Sequence, residues 1–324
     1  MIKRRDFIAG LGSAAAWPVV ARGQPSMPVI GFLSAADAAF NAPFLAALKQ
    51  GLADGGYEQG RHVEILFRYA EYRFDRLPAL AAELVRSQVA VIVASGVAPS
   101  IAAKAATATI PVVFEIATDP VTNGLVTNLN RPGANVTGIT LMAESYYTKG
   151  IEFLHELLPS AKAVTLLRNP SNPAVLGLKE TEDAAQKLGL HLTILGASNA
   201  SDIDQVFGQL ARERIDGILV NSDRLFESQY DRIASLAVRY RVPAIFWERK
   251  AVEAGGLLSY GASLTEAHRV VGNYAARVLK GDKPGELPVQ RATRIEMTIN
   301  LKTAKALGLT VPQSILLRAD EVIE

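Results

Sequence analysis

Residues 89–94 read Val-Ala-Val-Ile-Val-Ala and lead into Ser95-Gly96. The run is apolar without alternation, so both of its faces must be buried. A parallel strand between two layers of helices meets that demand, whereas a strand with one wet face would alternate. Upstream, Pro28–Leu33 (PVIGFL) and Val63–Tyr69 read as further strands. Pro43–Gly55 has apolar residues at Phe44, Leu45, Leu48 and Leu52, the spacing of a helix, and Phe74–Arg86 is a second helical stretch. Downstream come a helix at Ala98–Thr107 and strands at Pro111–Ile116 and Val136–Leu141.

The pattern restarts after a helical stretch at Tyr146–Leu158. Strands are expected at Val164–Leu167, Leu192–Leu195, Gly217–Val220, Ala244–Trp247 and Leu257–Tyr260. Helices at Ala174–Leu188, Asp202–Arg212 and Glu227–Tyr240 separate most of them. Two successive β-α-β series predict an α/β protein with two doubly wound parallel-sheet lobes, helices covering both faces of each sheet. A helix at Ser263–Lys280, a turn cluster at Gly281–Gly285, a strand at Ile295–Ile299 and a helix at Leu301–Leu307 are surplus to two simple sheets. They fit a chain that crosses between lobes more than once, with hinges near Leu141–Ser145, Tyr260–Ser263 and Pro288–Thr293.

In parallel sheets, ligands bind beyond the carboxyl ends of the strands. Polar residues collect there in both series. Ser34 ends the first strand, Ser95-Gly96 the third, and Thr118-Asp119 follow the fourth. In the second series the ends carry Asn169, Ser171 and Asn172, then Asn221, Ser222 and Asp223, then Trp247-Glu248, then Tyr260. Each alone is an ordinary helix cap or loop residue, but recurrence in both halves points to a cleft between lobes. Ser95, Thr118 and Asp119 are expected to face Asn172, Asn221 and Asp223. Hydroxyls and helix-start N–H groups there would donate to an anionic end such as a carboxylate. Asp119 or Asp223 would pair with an ammonium group, and Tyr146, Trp247 or Tyr260 would supply an apolar wall or stack on a ring.

Composition narrows the function. A chain of 324 residues with 49% hydrophobic and 20% charged residues suits about two globular domains. A net charge of +2 leaves no nucleic-acid footprint. The absence of cysteine excludes disulfides, thiolate metal sites and a Cys nucleophile. His62, His155, His191 and His268 have no metal-ligand spacing and read as structural. Gly10-Leu11-Gly12 mimics a dinucleotide fingerprint, but it follows no strand. There is no P-loop, no nucleophile elbow and no HExxH zinc motif. No cofactor, metal or catalytic residue is expected.

The N-terminus has the layout of an export signal. Lys3-Arg4-Arg5 is followed by Asp6-Phe7-Ile8, a Gly/Ala-rich apolar stretch and the small-residue end Ala21-Arg22-Gly23. The paired arginines resemble a twin-arginine signal. Cleavage near Ala21 to Gly23 would remove Lys3, Arg4, Arg5 and Arg22 against one acid, Asp6, and leave a near-neutral, soluble, periplasmic chain, expected to be a monomer.

Phe114–Gly138 reads FEIATDPVTNGLVTNLNRPGANVTG, and the tail runs Ile299-Asn300-Leu301-Lys302-Thr303-Ala304-Lys305-Ala306-Leu307-Gly308-Leu309 with Pro312 and Ala319-Asp320-Glu321-Val322-Ile323. Both segments resemble the ABC-transporter substrate-binding family that includes tryptophan- and tyrosine-type amino-acid binders. The resemblance covers about Pro28 to Glu324. It implies a type I periplasmic-binding fold with three crossover segments and a ligand enclosed between the lobes. Lobe 1 would span 28–142 and 263–290, and lobe 2 would span 143–261 and 291–324, after a signal at 1–23. It further implies a solute receptor that hands an amino acid or related compound, aromatic ones included, to permease subunits at the inner membrane. Two other classes compete. An exported α/β enzyme would turn its ligand over. A regulator of the same fold would need a DNA-binding domain, and the export signal occupies its place.

Overall fold

The structure is a computed structural model that describes residues 27–142, 144–174 and 178–324. The export signal expected at 1–23 lies outside the described residues. The first half runs β1 (Val29–Ser34), α1 (Ala38–Asp54), β2 (Glu64–Tyr69), α2 (Leu77–Arg86), β3 (Val91–Ser95), α3 (Val97–Ala106), β4 (Val112–Ile116) and β5 (Val136–Thr140). The second half runs α4 (Glu144–Leu157), β6 (Ala163–Arg168), α5 (Leu178–Lys187), β7 (His191–Gly196), α6 (Ala200–Glu213), β8 (Gly217–Val220), α7 (Arg224–Glu227), α8 (Tyr230–Tyr240), β9 (Ala244–Phe246), α9 (Arg249–Glu253) and β10 (Leu258–Ala262). The chain closes with α10 (Leu264–Leu279), β11 (Gln290–Arg291), β12 (Ile295–Asn300), α11 (Leu301–Ala306), α12 (Gln313–Leu316) and β13 (Glu321–Ile323).

Two sheets result. The first has the order β11-β5-β4-β3-β1-β2, all parallel. The second has the order β13-β12-β10-β9-β8-β6-β7, parallel except where β12 runs antiparallel to β10. Within each series the second strand sits outside the first and the third lies on its other side. Strand order therefore reverses between β1 and β3 in lobe 1 and between β6 and β8 in lobe 2. Those switch points open crevices at the carboxyl ends of the strands.

The run that set the expectation behaves as required. Val91 and Val93 join the core under α1 and α10, while Ile92 and Ala94 join the core under α2 and α3. Lobe 2 repeats this: Ile218 and Val220 pack beneath α6 and α8, and Leu219 packs on the opposite face beneath α4. The chain passes between the sheets three times. It leaves β5 for α4, leaves β10 for α10 through Ser263, and leaves β11, paired with β5, for β12, paired with β10.

Two helices differ from the expectation for local reasons. α1 begins five residues before Pro43, because the Asp37 side chain accepts from the Phe40 N–H at 2.8 Å and starts the helix there. The helix expected at Glu227–Tyr240 begins only at Tyr230, as α8, because a separate short helix, α7, ends at Glu227. Asp223 caps the first turn, and Ser228-Gln229 breaks the chain before Tyr230.

Candidate binding cleft

The cleft is built where the carboxyl ends of the two sheets meet. In lobe 1, Ser95 ends β3 and Glu115 lies one residue from the end of β4. Glu115 is 1% exposed, a carboxylate inside an otherwise apolar strand. His268 enters from the second turn of α10, whose start is capped by Ser263. Its Nδ1 lies 2.8 Å from the Leu264 carbonyl, which can only accept, so Nδ1 carries a proton, and in the neutral ring Nε2 is then an acceptor. That Nε2 faces the Ser95 hydroxyl at 3.1 Å, and burial holds the imidazole below its ordinary pKa, in the neutral form.

In lobe 2, the loops after β6 and β8 are tied together. Asn169 and Asn172 donate to the two carboxylate oxygens of Asp223 at 3.1 and 2.7 Å, and the Leu225 N–H donates to Asp223 Oδ1 at 2.9 Å. These bonds fix α7 and direct Arg224 across the cleft. Its Nη2 donates to Glu115 Oε2 at 2.5 Å and to Ser95 Oγ at 3.3 Å. Its Nη1 donates to Glu227 Oε2 at 2.6 Å in its own lobe. Burial opposes the charge of this guanidinium, but the carboxylates of Glu115, Glu227 and Glu248 outweigh it and keep the group charged.

Carboxylates outnumber cations here. Glu227 is raised above the ordinary glutamate range, chiefly by burial. Glu248, at the N-cap of α9 two residues beyond β9, is pushed up to about 8 by burial first and by the Glu227 charge second. Its Oε2 accepts from the Tyr230 hydroxyl at 3.4 Å. Glu115 Oε1 and Arg224 Nε are both buried without a hydrogen-bond partner.

Aromatic rings flank the charges. Phe44 stacks on His268 with ring centres 5.0 Å apart, and Lys250 of lobe 2 places Nζ 4.0 Å from the Phe44 ring centre. The Arg224 guanidinium lies 5.8 Å from the ring centre of Phe40. Glu71 and Tyr72 both adopt left-handed backbone, φ 53° and 63°. That rare conformation carries the Tyr72 ring onto the lobe 2 core, where it packs half-buried. The two lobes are therefore in direct contact around the cleft.

Of the residues expected from sequence, Ser95 stands in the cross-lobe cluster. Gly96 adjoins it, with φ 102°, and a Cβ there would lie 3.8 Å from Arg224 Nε. Ser222 borders it, its Oγ 3.4 Å from Glu227 Oε1. Asn169, Asn172 and Asp223 form the loop tie just described. Asn221 accepts from the Tyr147 hydroxyl, which in turn accepts from the Ser222 N–H. Ser34 accepts from the Ala36 N–H, and Ser171 donates to Ser198. Thr118 accepts from Asn123, and Asp119 binds Val121 N–H and the Thr122 hydroxyl within the same turn. Tyr146 and Tyr260 meet edge to face at 6.0 Å on the α4 side of lobe 2, with Trp247 buried beside them.

Sequence reasoning passed over Glu115, Arg224, Glu227 and His268 as site residues. A carboxylate within the apolar run Val112–Ile116 was the one available signal, since a buried charge demands a partner. An apolar groove of about 540 Å³ also lies between α2 and α3 with Pro173 of the loop after β6 at its wall, and among the described residues that line it Arg86 alone is charged. Among the described residues there is no cluster of potential metal ligands, and no helix is long and apolar enough to cross a membrane.

A cleft lined with charges of both signs, closed by two doubly wound lobes, is the architecture of a solute receptor. The sequence model of the family described as ABC transporter substrate binding protein matches residues 43–323. The chain belongs to that family. A tyrosine-binding protein of Clostridioides difficile (strain R20291) is 30% identical over 82% of this chain and 78% of its own. A domain of Streptococcus pneumonia solved in complex with L-Trp matches with TM-score 0.82 at 26% identity, covering 92% of this chain and all of that one. A ligand-free, open substrate binding protein of Clostridium difficile matches with TM-score 0.64 at 25% identity, covering 91% of this chain and 99% of that one. In this substrate-binding protein the two lobes touch through Arg224, which reaches Glu115 and Ser95 of the other lobe.

Proposed function

We propose that this substrate-binding protein encloses an amino acid, aromatic ones included, or a closely related small molecule, and passes it unchanged to an ABC importer. The observation that carries the reading is the buried cluster between the lobes, in which Glu115 Oε1 and Arg224 Nε are buried without hydrogen-bond partners. An ammonium donates where the first accepts, and a carboxylate accepts where the second donates. Phe40 and Tyr72, both half-buried, offer apolar faces for a ring. Tyrosine and tryptophan are the ligands named for the two relatives above. In this reading the moving bodies are residues 28–142 with 263–290 and residues 143–261 with 291–324, hinged at the three passages. Ser95, Gly96 and Ser222 contribute to the pocket wall, and Asn169, Asn172 and Asp223 anchor α7, which carries Arg224.

Calorimetry with L-tyrosine and L-tryptophan tests the ligand class. At least one should bind with a Kd at or below about 10 μM, near −7 kcal/mol. Mass spectrometry of the recovered ligand should show its mass unchanged. Absence of heat with both, in protein freed of bound ligand by unfolding and refolding, rejects the aromatic reading.

The receptor works in the periplasm in this reading, reached through the twin-arginine-like signal at the N-terminus. Replacing Arg4 and Arg5 together by lysine should leave the precursor in the cytoplasm. An unchanged periplasmic yield rejects the twin-arginine route.

A further inference from the structure

We infer that Ser95, Glu115 and His268 of lobe 1 form a cation subsite, which Arg224 of lobe 2 fills in the closed protein and from which a protonated amine of the ligand displaces it. The inference deepens the reading of the cleft as the ligand site and rests on it.

Three observations point to a cation. First, Glu115 is a carboxylate at 1% exposure, and its neighbours in lobe 1 cannot neutralise it. The Ser95 hydroxyl is neutral, 3.2 Å from Glu115 Oε2. His268 Nε2, 3.9 Å away, is an acceptor in the neutral ring that burial favours. A buried charge without a counter-ion is strongly unfavourable, so the charge partner must come from outside the lobe. Second, the partner present is Arg224, from the opposite lobe, and it satisfies the site only in part. Glu115 Oε1 remains without a hydrogen bond, as does Arg224 Nε. A compact ammonium has three donors, enough for Glu115 Oε1, Glu115 Oε2 and Ser95 Oγ together. Third, Arg224 has somewhere to go. Glu227 Oε2 already accepts from its Nη1 at 2.6 Å, so the guanidinium keeps a carboxylate partner in lobe 2 after leaving Glu115. Displacement then exchanges one cation for another at Glu115 and leaves no buried charge unpaired.

The arrangement has a consequence for specificity. An amine competes for the site that Arg224 occupies, whereas a compound with a carboxylate and no amine leaves Arg224 on Glu115. The amine is therefore the required group, and the ring and carboxylate are secondary.

The test uses Arg224→Gln, with Arg224→Met as a second variant, both checked for folding by circular dichroism. Thermal melts are compared in equal concentrations of methylammonium chloride and tetramethylammonium chloride, the second a cation without N–H donors. The vacated subsite should take methylammonium, so both Arg224 variants should melt higher in it than in tetramethylammonium. The parent and the double variant Arg224→Gln, Glu115→Gln should melt alike in the two salts. Identical melting of both folded Arg224 variants in the two salts overturns the subsite. On the parent, tyramine should bind at least about thirtyfold more tightly than 3-(4-hydroxyphenyl)propionate, and Glu115→Gln should lose tyramine binding by a similar factor. Tighter binding of the propionate overturns the specificity. If neither compound binds, the aromatic reading of the ligand fails, and the methylammonium melts alone decide the subsite.

Discussion

Gly272→Val should destabilise the protein by about 3 kcal/mol or more, near the upper end for overpacked cores. A fall in melting temperature on the order of 10 °C corresponds to that loss. α10 lies against α1 with their backbones in contact. A Cβ on Gly272 would stand 2.2 Å from the Leu48 carbonyl oxygen and 2.9 Å from the Leu52 nitrogen. The facing Gly51 is equally constrained, its Cβ 2.0 Å from the Arg269 carbonyl oxygen. Both obstacles are helix backbone, which cannot rotate aside as a side chain would. A valine must push the helices apart along their whole crossing. α10 also covers β3, β4 and β5 and carries His268, so the shift would reach the cleft. Gly208→Ala in α6 is the control, because its Cβ would meet only the Arg212 guanidinium, at 3.7 Å. That change should be neutral or stabilise by about 0.5–1 kcal/mol. Thermal melts of both variants check the contrast, and a Gly272→Val protein that melts with the parent refutes the account of this crossing.

Glu248→Gln should stabilise the protein at alkaline pH and flatten its pH dependence. The Glu248 carboxyl titrates near 8 when folded, against 4.5 for an ordinary glutamate. Below pH 4.5 it is protonated in both states and the native state bears no cost from it. Between about 4.5 and 8 the unfolded chain gives up the proton first, so stability falls as pH rises, by at most about 1.4 kcal/mol per pH unit for one proton. Above 8 both states are ionised and the loss is complete. The groups facing Glu248 set this balance: Glu227 and burial raise it, while Lys250, Arg224 and the Tyr230 hydroxyl lower it. Glu227 is shifted in the same direction and adds to the slope. Glutamine keeps the shape and removes the charge. Melting temperature followed from pH 6 to pH 9 should drop in the parent and drop less in Glu248→Gln, with the variant about 2 kcal/mol or more ahead at the alkaline end. Parallel curves would show that the carboxyl ionises freely in the folded protein.

The two predictions differ in how far sequence could have anticipated them. Gly51 and Gly272 sit in stretches that read as ordinary helices, and nothing in either stretch says that they touch. Glu248 was visible as a polar residue at a strand end, but its altered titration depends on Glu227 and on burial by α7 and α8. Asp223 and Asn172 were expected to meet a ligand from their positions after β8 and β6. Those positions also let them reach each other at 2.7 Å, where they hold α7.

The sequence by itself determined the α/β class, the two series of strands and the concentration of polar residues at their carboxyl ends. Those features follow from periodicity and apolar runs, which act over a few residues and are written locally: Val89–Ala94 must be buried on both faces wherever it lies. Only the tertiary structure decided which charges meet. Glu115 and Arg224 are 109 residues apart and belong to different lobes, and neither has a local partner that predicts the other. They come together because three passages bring two switch points face to face, and a buried carboxylate in a low-dielectric cleft must find a cation there.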